Sequence, residues 1–227
     1  MMENAEIKPD SLIISYLLLR KVVGLLGVSL PVVLVLYALF TPIGFQNTVS
    51  HFYYTEMRDI FVGIMCAIGL FLFSYNGYDR SERWAGIIAC VCAIGIALLP
   101  TAPGESNLLC LQCTLHDGQN TLSHSSKYID YLHKSFAVTL FLILTRFSLV
   151  SFPKSNVPEK EMTEGKRRRN RIYRISGSVM LIMLLVVLPD LRESIAHWHP
   201  IFWLESVVIF AFGISWLVKG KAIFGET

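Results

Sequence analysis

Six stretches of the chain run almost without polar interruption: 22–40, 60–75, 84–100, 135–152, 172–189 and 201–218. Their apolar residues are continuous rather than alternating, which excludes the strands of a membrane β-barrel. About 20 apolar residues carry a helix across ~30 Å of hydrocarbon, and fewer suffice where polar ends reach back to the headgroups. The pattern therefore predicts an all-α protein, a six-helix transmembrane bundle forming one domain over 1–227, with loops at 101–132 and 153–171. Pro100, Pro153, Pro189 and Pro200 punctuate the run boundaries. Trp84, Trp198, Trp203 and Trp216 fall at or near run ends, where amphipathic rings prefer the membrane interface. Pro31 lies inside the first run and is expected to kink it, because it removes one backbone hydrogen bond. Ahead of that run, 11–19 is apolar but short and is closed by Arg20-Lys21. It reads either as an interfacial helix or as the tilted start of a longer first span. Glu3, Glu6 and Asp10 precede this short segment and the bases follow it, the reverse of a cleaved signal peptide, so the N-terminus is expected to be retained.

Charge sets the orientation. Of the twenty Lys and Arg residues, fourteen fall on the side that carries both termini and the 153–171 loop. Arg58, Lys127, Lys134 and Arg192 fall on the other, and Arg146 and Arg174 lie within runs, from which they can snorkel to the headgroups. The positive-inside rule makes the basic side cytoplasmic, with 101–132 an outward loop. The cluster KRRRNR at 166–171 could be taken for a nuclear-localisation or nucleic-acid patch. Between two spans it reads as a topology anchor among anionic headgroups instead. Composition agrees: 227 residues, 53% hydrophobic, only 16% charged, mean hydropathy +0.52. Soluble domains carry roughly 25% charge, so disorder, a coiled coil, a collagen-like rod and a nucleic-acid-binding domain are excluded. Membrane lipids are the expected partners, and a homo-oligomer stays open. Ala85, Ala89, Ala93 and Ala97 recur every four residues, with Gly63, Ala67 and Gly69 similarly placed in the second run, and such stripes allow helices to approach closely. No duplicated or inverted half stands out, which argues against a transporter built from repeats.

The chemistry-bearing residues collect on the outward side. All six histidines, His51, His116, His124, His133, His197 and His199, map there, as do eight carboxylates. Arg58 and Asp59 open the second span, His133 and Lys134 open the fourth, and Glu205 lies one turn into the sixth. A carboxylate at that depth needs a partner or a polar cavity, and Arg58 or His133 is its simplest partner. Arg58, Asp59, His133 and Glu205 are thus the candidate ligand-binding residues. His51, His124, His133 and His197 form a candidate metal set, with zinc as the cofactor that imidazole favours. Exclusion of Lys and Arg from outward loops would produce the same rim without any metal. Ser50 adjoins His51, but neighbouring side chains diverge, so the dipeptide is no catalytic signature. Cys66, Cys90 and Cys92 lie within runs and behave as small apolar residues. Cys110 and Cys113 form a CxxC in the outward loop, where an oxidising environment favours a disulfide over zinc. No Walker loop, GxGxxG, HExxH or GxSxG is present.

Three stretches, 50–63 (SHFYYTEMRDIFVG), 168–174 (RRNRIYR) and 200–220 (PIFWLESVVIFAFGISWLVKG), together resemble a bacterial six-span family classed as a domain of unknown function. That resemblance runs over most of the chain and implies a multi-pass inner-membrane protein in which Arg58, Asp59, His133, Arg171, Arg174 and Glu205 fall in the shared motifs. A more distant likeness is to the CREST superfamily of membrane hydrolases and receptors, which set Ser, Asp and several His around zinc near one membrane face. This chain has those residue types on one face, lacks the HxxxH helix and has six runs rather than seven. Two functions follow as expectations: an outward pocket that binds a lipid headgroup or small ligand, or a metal-dependent membrane hydrolase in which Asp59 or Glu205 is the general base. A proton-coupled transporter using Glu205 is the third.

Overall fold

The computed structural model describes residues 9–75, 77, 79–103, 127–155, 158, 161–187 and 199–223, among which no strand occurs. Six long helices account for most of them: α1 (Pro9–Phe40), α2 (Arg58–Phe73), α3 (Arg80–Leu98), α4 (Lys127–Arg146), α5 (Glu164–Val187) and α6 (Pro200–Lys219). A short 3-10 helix, Val49–Tyr54, precedes α2, and a π-helical turn, Phe147–Ser151, prolongs α4. Each apolar run of the sequence falls on one helix. Four helices are long and apolar enough to cross a membrane: Tyr16–Phe40 within α1, Arg80–Leu98, Tyr128–Ser151 and Pro200–Lys219. The remaining two fall short for plain reasons. α2 has 16 residues, about 24 Å at 1.5 Å per residue, and α5 opens with the charged stretch 166–171.

Residues 11–19 belong to α1, which passes through Arg20 and Lys21 without a break and keeps Pro31 inside it. The segment is therefore the start of a longer first helix, not a separate interfacial one. Helix starts follow local chemistry. Asp79 caps α3 by accepting from Glu82 N–H at 2.9 Å, and Pro200 occupies the first turn of α6, where its missing N–H costs nothing.

The helices pack in chain order into a closed ring, α1 on α2, α2 on α3 and so on round to α6, which packs on α1. Two seams depend on small residues. On the α2–α3 seam the Ala85, Ala89, Ala93, Ala97 stripe is buried, and Gly69 packs on Ala93 and the Cys90 carbonyl. Gly63 does not share in it: no atom lies within 4 Å of where its Cβ would stand, and the residue is exposed. On the α1–α6 seam, a Cβ at Gly24 would meet Leu217 N at 2.6 Å, and one at Gly213 would meet Val28 N at 2.6 Å. Backbone touches backbone there.

Consecutive helices alternate in direction, so the bundle has two distinct ends. The basic end is tied by Lys154 Nζ, which donates to Asp79 Oδ2 (2.8 Å) and to the fully buried Glu82 Oε1 (2.7 Å), and by Arg146 Nη2, which donates to Ser81 Oγ (2.9 Å). Trp216 lies inside this end, ringed by Tyr75, Phe147, Phe152 and Phe212, and is 1% exposed. It is thus a core residue, unlike Trp84 and Trp203, which stay exposed as interfacial rings do. The free cysteines Cys90 and Cys92 are buried as expected. Cys110, Cys113 and Trp198 lie outside the described residues.

Candidate functional site

At the opposite end, the link between α1 and α2 folds over the mouth of the ring. Thr48 caps the 3-10 helix, its hydroxyl accepting from His51 N–H at 3.1 Å. Phe52 of that helix is fully buried and packs edge-on to Tyr37 and against Phe202. Asn47 O accepts from Phe202 N–H at 3.1 Å, and Glu205 Oε2 accepts from Val49 N–H at 2.8 Å. Residues 47–52 are therefore pinned to the first turns of α6 by backbone bonds and aromatic packing together.

That pinning aims Ser50 at α4. Its Oγ lies 2.9 Å from His133 Nε2, while His133 Nδ1 lies 2.5 Å from Leu99 O, at the end of α3. A carbonyl oxygen only accepts, so Nδ1 carries a proton; in the neutral ring Nε2 then presents its lone pair, and the Ser50 hydroxyl donates to it. The imidazole is 3% exposed. Its neighbour along the helix, Asp130, accepts from Thr101 Oγ1 (2.7 Å), Ala102 N–H (2.9 Å) and Lys134 Nζ (2.5 Å), clipping the chain after α3 onto α4. The ring's registry is fixed from three helices.

His51 points elsewhere. Its Nε2 donates to Ala102 O at 3.0 Å, which leaves Nδ1 as an acceptor, buried and, among the described residues, without a partner. Burial holds its pKa below the usual histidine value, so the ring is neutral at pH 7. Beside it the Tyr54 hydroxyl donates to Thr101 O, and burial pushes its pKa up to about 12.

Three cavities adjoin one another here, and two of them meet at Ser50 and Glu205. The largest of them, about 300 Å³, is a polar vestibule walled by Asn47, His51, Asp130, Lys134 and His199. It shares Thr48, Thr101 and Lys134 with a cavity of about 260 Å³ onto which Ser50, His133 and Glu205 open, and whose far wall is Val138, Phe141 and Leu184. Ser50, Phe141 and Glu205 also border a small apolar pocket of about 40 Å³ inside the ring, lined by Phe61, Met65 and Phe212. Polarity thus falls steadily from the mouth to the interior.

Of the residues singled out from the sequence, His133 and Glu205 share one cavity. Arg58 and Asp59 do not join them: both are exposed at the start of α2, where Arg58 donates to Tyr53 OH at 3.0 Å and stacks on its ring at 4.6 Å. Glu205 accepts the backbone N–H of Val49. His124, His197 and His116 lie outside the described residues. Among the described residues no group of three or more His, Cys, Asp or Glu is close enough to hold a metal ion. His133 in addition has both ring nitrogens engaged within the protein, so the described donors do not fit a zinc site. The Ser50–His133 pair carries no local signature, since its members stand 83 positions apart and the more obvious neighbour of Ser50 is His51.

Comparison with known protein families, with characterised proteins and with solved structures found no match.

Proposed function

We propose that the chain is a six-span membrane protein of the bacterial inner membrane, both termini cytoplasmic, that binds a lipid headgroup or small amphipathic ligand at its histidine-bearing end. Up-and-down packing in a closed ring supports six crossings, because the short α2 and the charge-bearing α5 each pack between two of the four helices that are long and apolar enough to cross. The distribution of Lys and Arg supports the orientation.

The gradient of polarity across the cavities carries the binding reading. A headgroup fits the vestibule, where Nδ1 of neutral His51, without a partner among the described residues, offers an acceptor to a hydroxyl or ammonium beside the Lys134–Asp130 ion pair. An apolar tail fits between Val138, Phe141 and Leu184. A buried acceptor without a donor costs about 1–3 kcal/mol, and a ligand that supplies the donor recovers that energy. Phospholipid added to the detergent-purified protein is expected to raise its melting temperature, and less so in His51→Phe. A melting temperature unmoved by lipid in the wild type overturns the reading.

A further inference from the structure

We propose that Ser50 is a nucleophile activated by His133, and that the chain transfers the acyl group of a long-chain carboxylic ester bound in this cavity to water. The inference deepens the binding reading and rests on it, since the ester must be seated before it reacts.

Three observations carry it. The first is geometry: a serine hydroxyl 2.9 Å from an unprotonated imidazole nitrogen is the arrangement of a nucleophile and its general base. The second is the group that orients the base. Leu99 O accepts from Nδ1–H, fixing the tautomer that leaves Nε2 free to take a proton, the part a carboxylate plays in serine hydrolases. The third is position. Ser50 and His133 stand where the polar vestibule gives way to apolar walls, and in an ester lipid the carbonyl lies at that same boundary between headgroup and tail. A purely structural hydrogen bond explains the first observation but gives no reason for the third.

The chemistry balances with water as the only co-reactant. Ser50 Oγ bonds to the ester carbonyl carbon as its proton passes to His133 Nε2. The carbon–oxygen bond to the alcohol then breaks, and His133 returns the proton to the departing oxygen. Water attacks the acyl-serine, giving one proton to His133, which restores it to Ser50 Oγ as the carboxylic acid leaves. Glu205 is a positioning residue here: by holding Val49 N–H it fixes the backbone immediately before Ser50.

The full-length protein in detergent is treated with an alkyl fluorophosphonate and digested for mass spectrometry, and its hydrolysis of a long-chain 4-nitrophenyl ester is followed in parallel. The expected result is a phosphonylated Ser50 peptide, and an activity reduced about 10²–10⁴-fold in His133→Gln and at least as much in Ser50→Ala. Ser50→Cys, which keeps a nucleophile of similar size, is expected to accumulate the acyl-enzyme as a thioester, so unfolding of the alanine variant is not mistaken for loss of chemistry. Absence of label on Ser50, together with hydrolysis equal in wild type and Ser50→Ala, overturns the proposal. An ether lipid, which has no ester to cleave, separates the two readings. If it still raises the melting temperature while Ser50 stays unlabelled, the catalytic inference falls and binding stands. If it raises nothing and Ser50 is unlabelled, both fall.

Discussion

Glu205 Oε2 accepts a 2.8 Å hydrogen bond from Val49 N–H, joining the second turn of α6 to the segment that closes the mouth of the ring. A hydrogen bond to a charged group contributes about 1.5–3 kcal/mol. Glu205→Ala is therefore expected to lower stability by about that amount, and Glu205→Gln, which keeps an acceptor, by less. Thermal unfolding of the two variants in one detergent checks the order; equal losses would mean that the bond to Val49 is not what Glu205 contributes.

The glycines divide sharply by what surrounds them. Gly213→Ala drives a methyl group onto Val28 N, and neither backbone can retreat without opening the α1–α6 seam. Overpacking of this kind costs typically about 1–3 kcal/mol. Gly63→Ala meets open space and gains helix propensity of about 1 kcal/mol at most. Melting temperatures should fall for the first and hold or rise for the second.

At the basic end, the hydrogen bond from Lys154 holds Asp79 below the usual carboxylate value, and Asp79 and Glu82 together push Lys154 up. The signs give two edges. The Asp79 contribution is complete above its unfolded value near 3.9 and is lost as pH falls through the lower folded value, whereas the Lys154 contribution is complete below about 10.4 and is lost as pH rises above it. Asp79→Asn is expected to flatten the acid edge of a stability–pH profile. Lys154→Met should lower the melting temperature by leaving the buried Glu82 carboxylate without its ammonium, and Glu82→Gln should restore part of the loss in the double variant.

His51 gives a third pH dependence. Its folded pKa is depressed by burial, so its contribution is present above about 6.5 and is lost as pH falls through the folded value. His51→Gln is expected to remove that decline between pH 6.5 and the acid edge of Asp79. A profile identical to wild type would show that the ring is charged in the folded protein.

The helices were legible because each is built on a continuous apolar run. Their ends were less so: α1 starts at Pro9 and α4 at Lys127, since a helix continues through charged residues wherever their side chains reach water. The depth of Glu205 pointed to side-chain partners, Arg58 or His133, whereas the bond from Val49 N–H is a backbone one, and backbone partners leave no trace in residue type. Trp216 looked interfacial by position along its run, whereas the ring packing that buries it depends on three aromatics from elsewhere in the chain, Tyr75, Phe147 and Phe152, besides Phe212 of its own helix. The pairing of Ser50 with His133 depends on how α4 docks beneath a 3-10 turn, a tertiary fact that no local spacing encodes.

The occupant of the cavity can be read where it lies. With a photoreactive benzoylphenylalanine at Val138, on the cavity wall, and in a second variant at Val150, exposed near the basic end, illumination in native membranes followed by intact-protein mass spectrometry reports what each position touches. One discrete lipid-sized adduct at Val138, suppressed when Leu184→Trp fills the cavity, against a broad mixture at Val150, is the result predicted. The same mixture at both positions, unchanged by Leu184→Trp, would contradict a binding site at this end of the bundle.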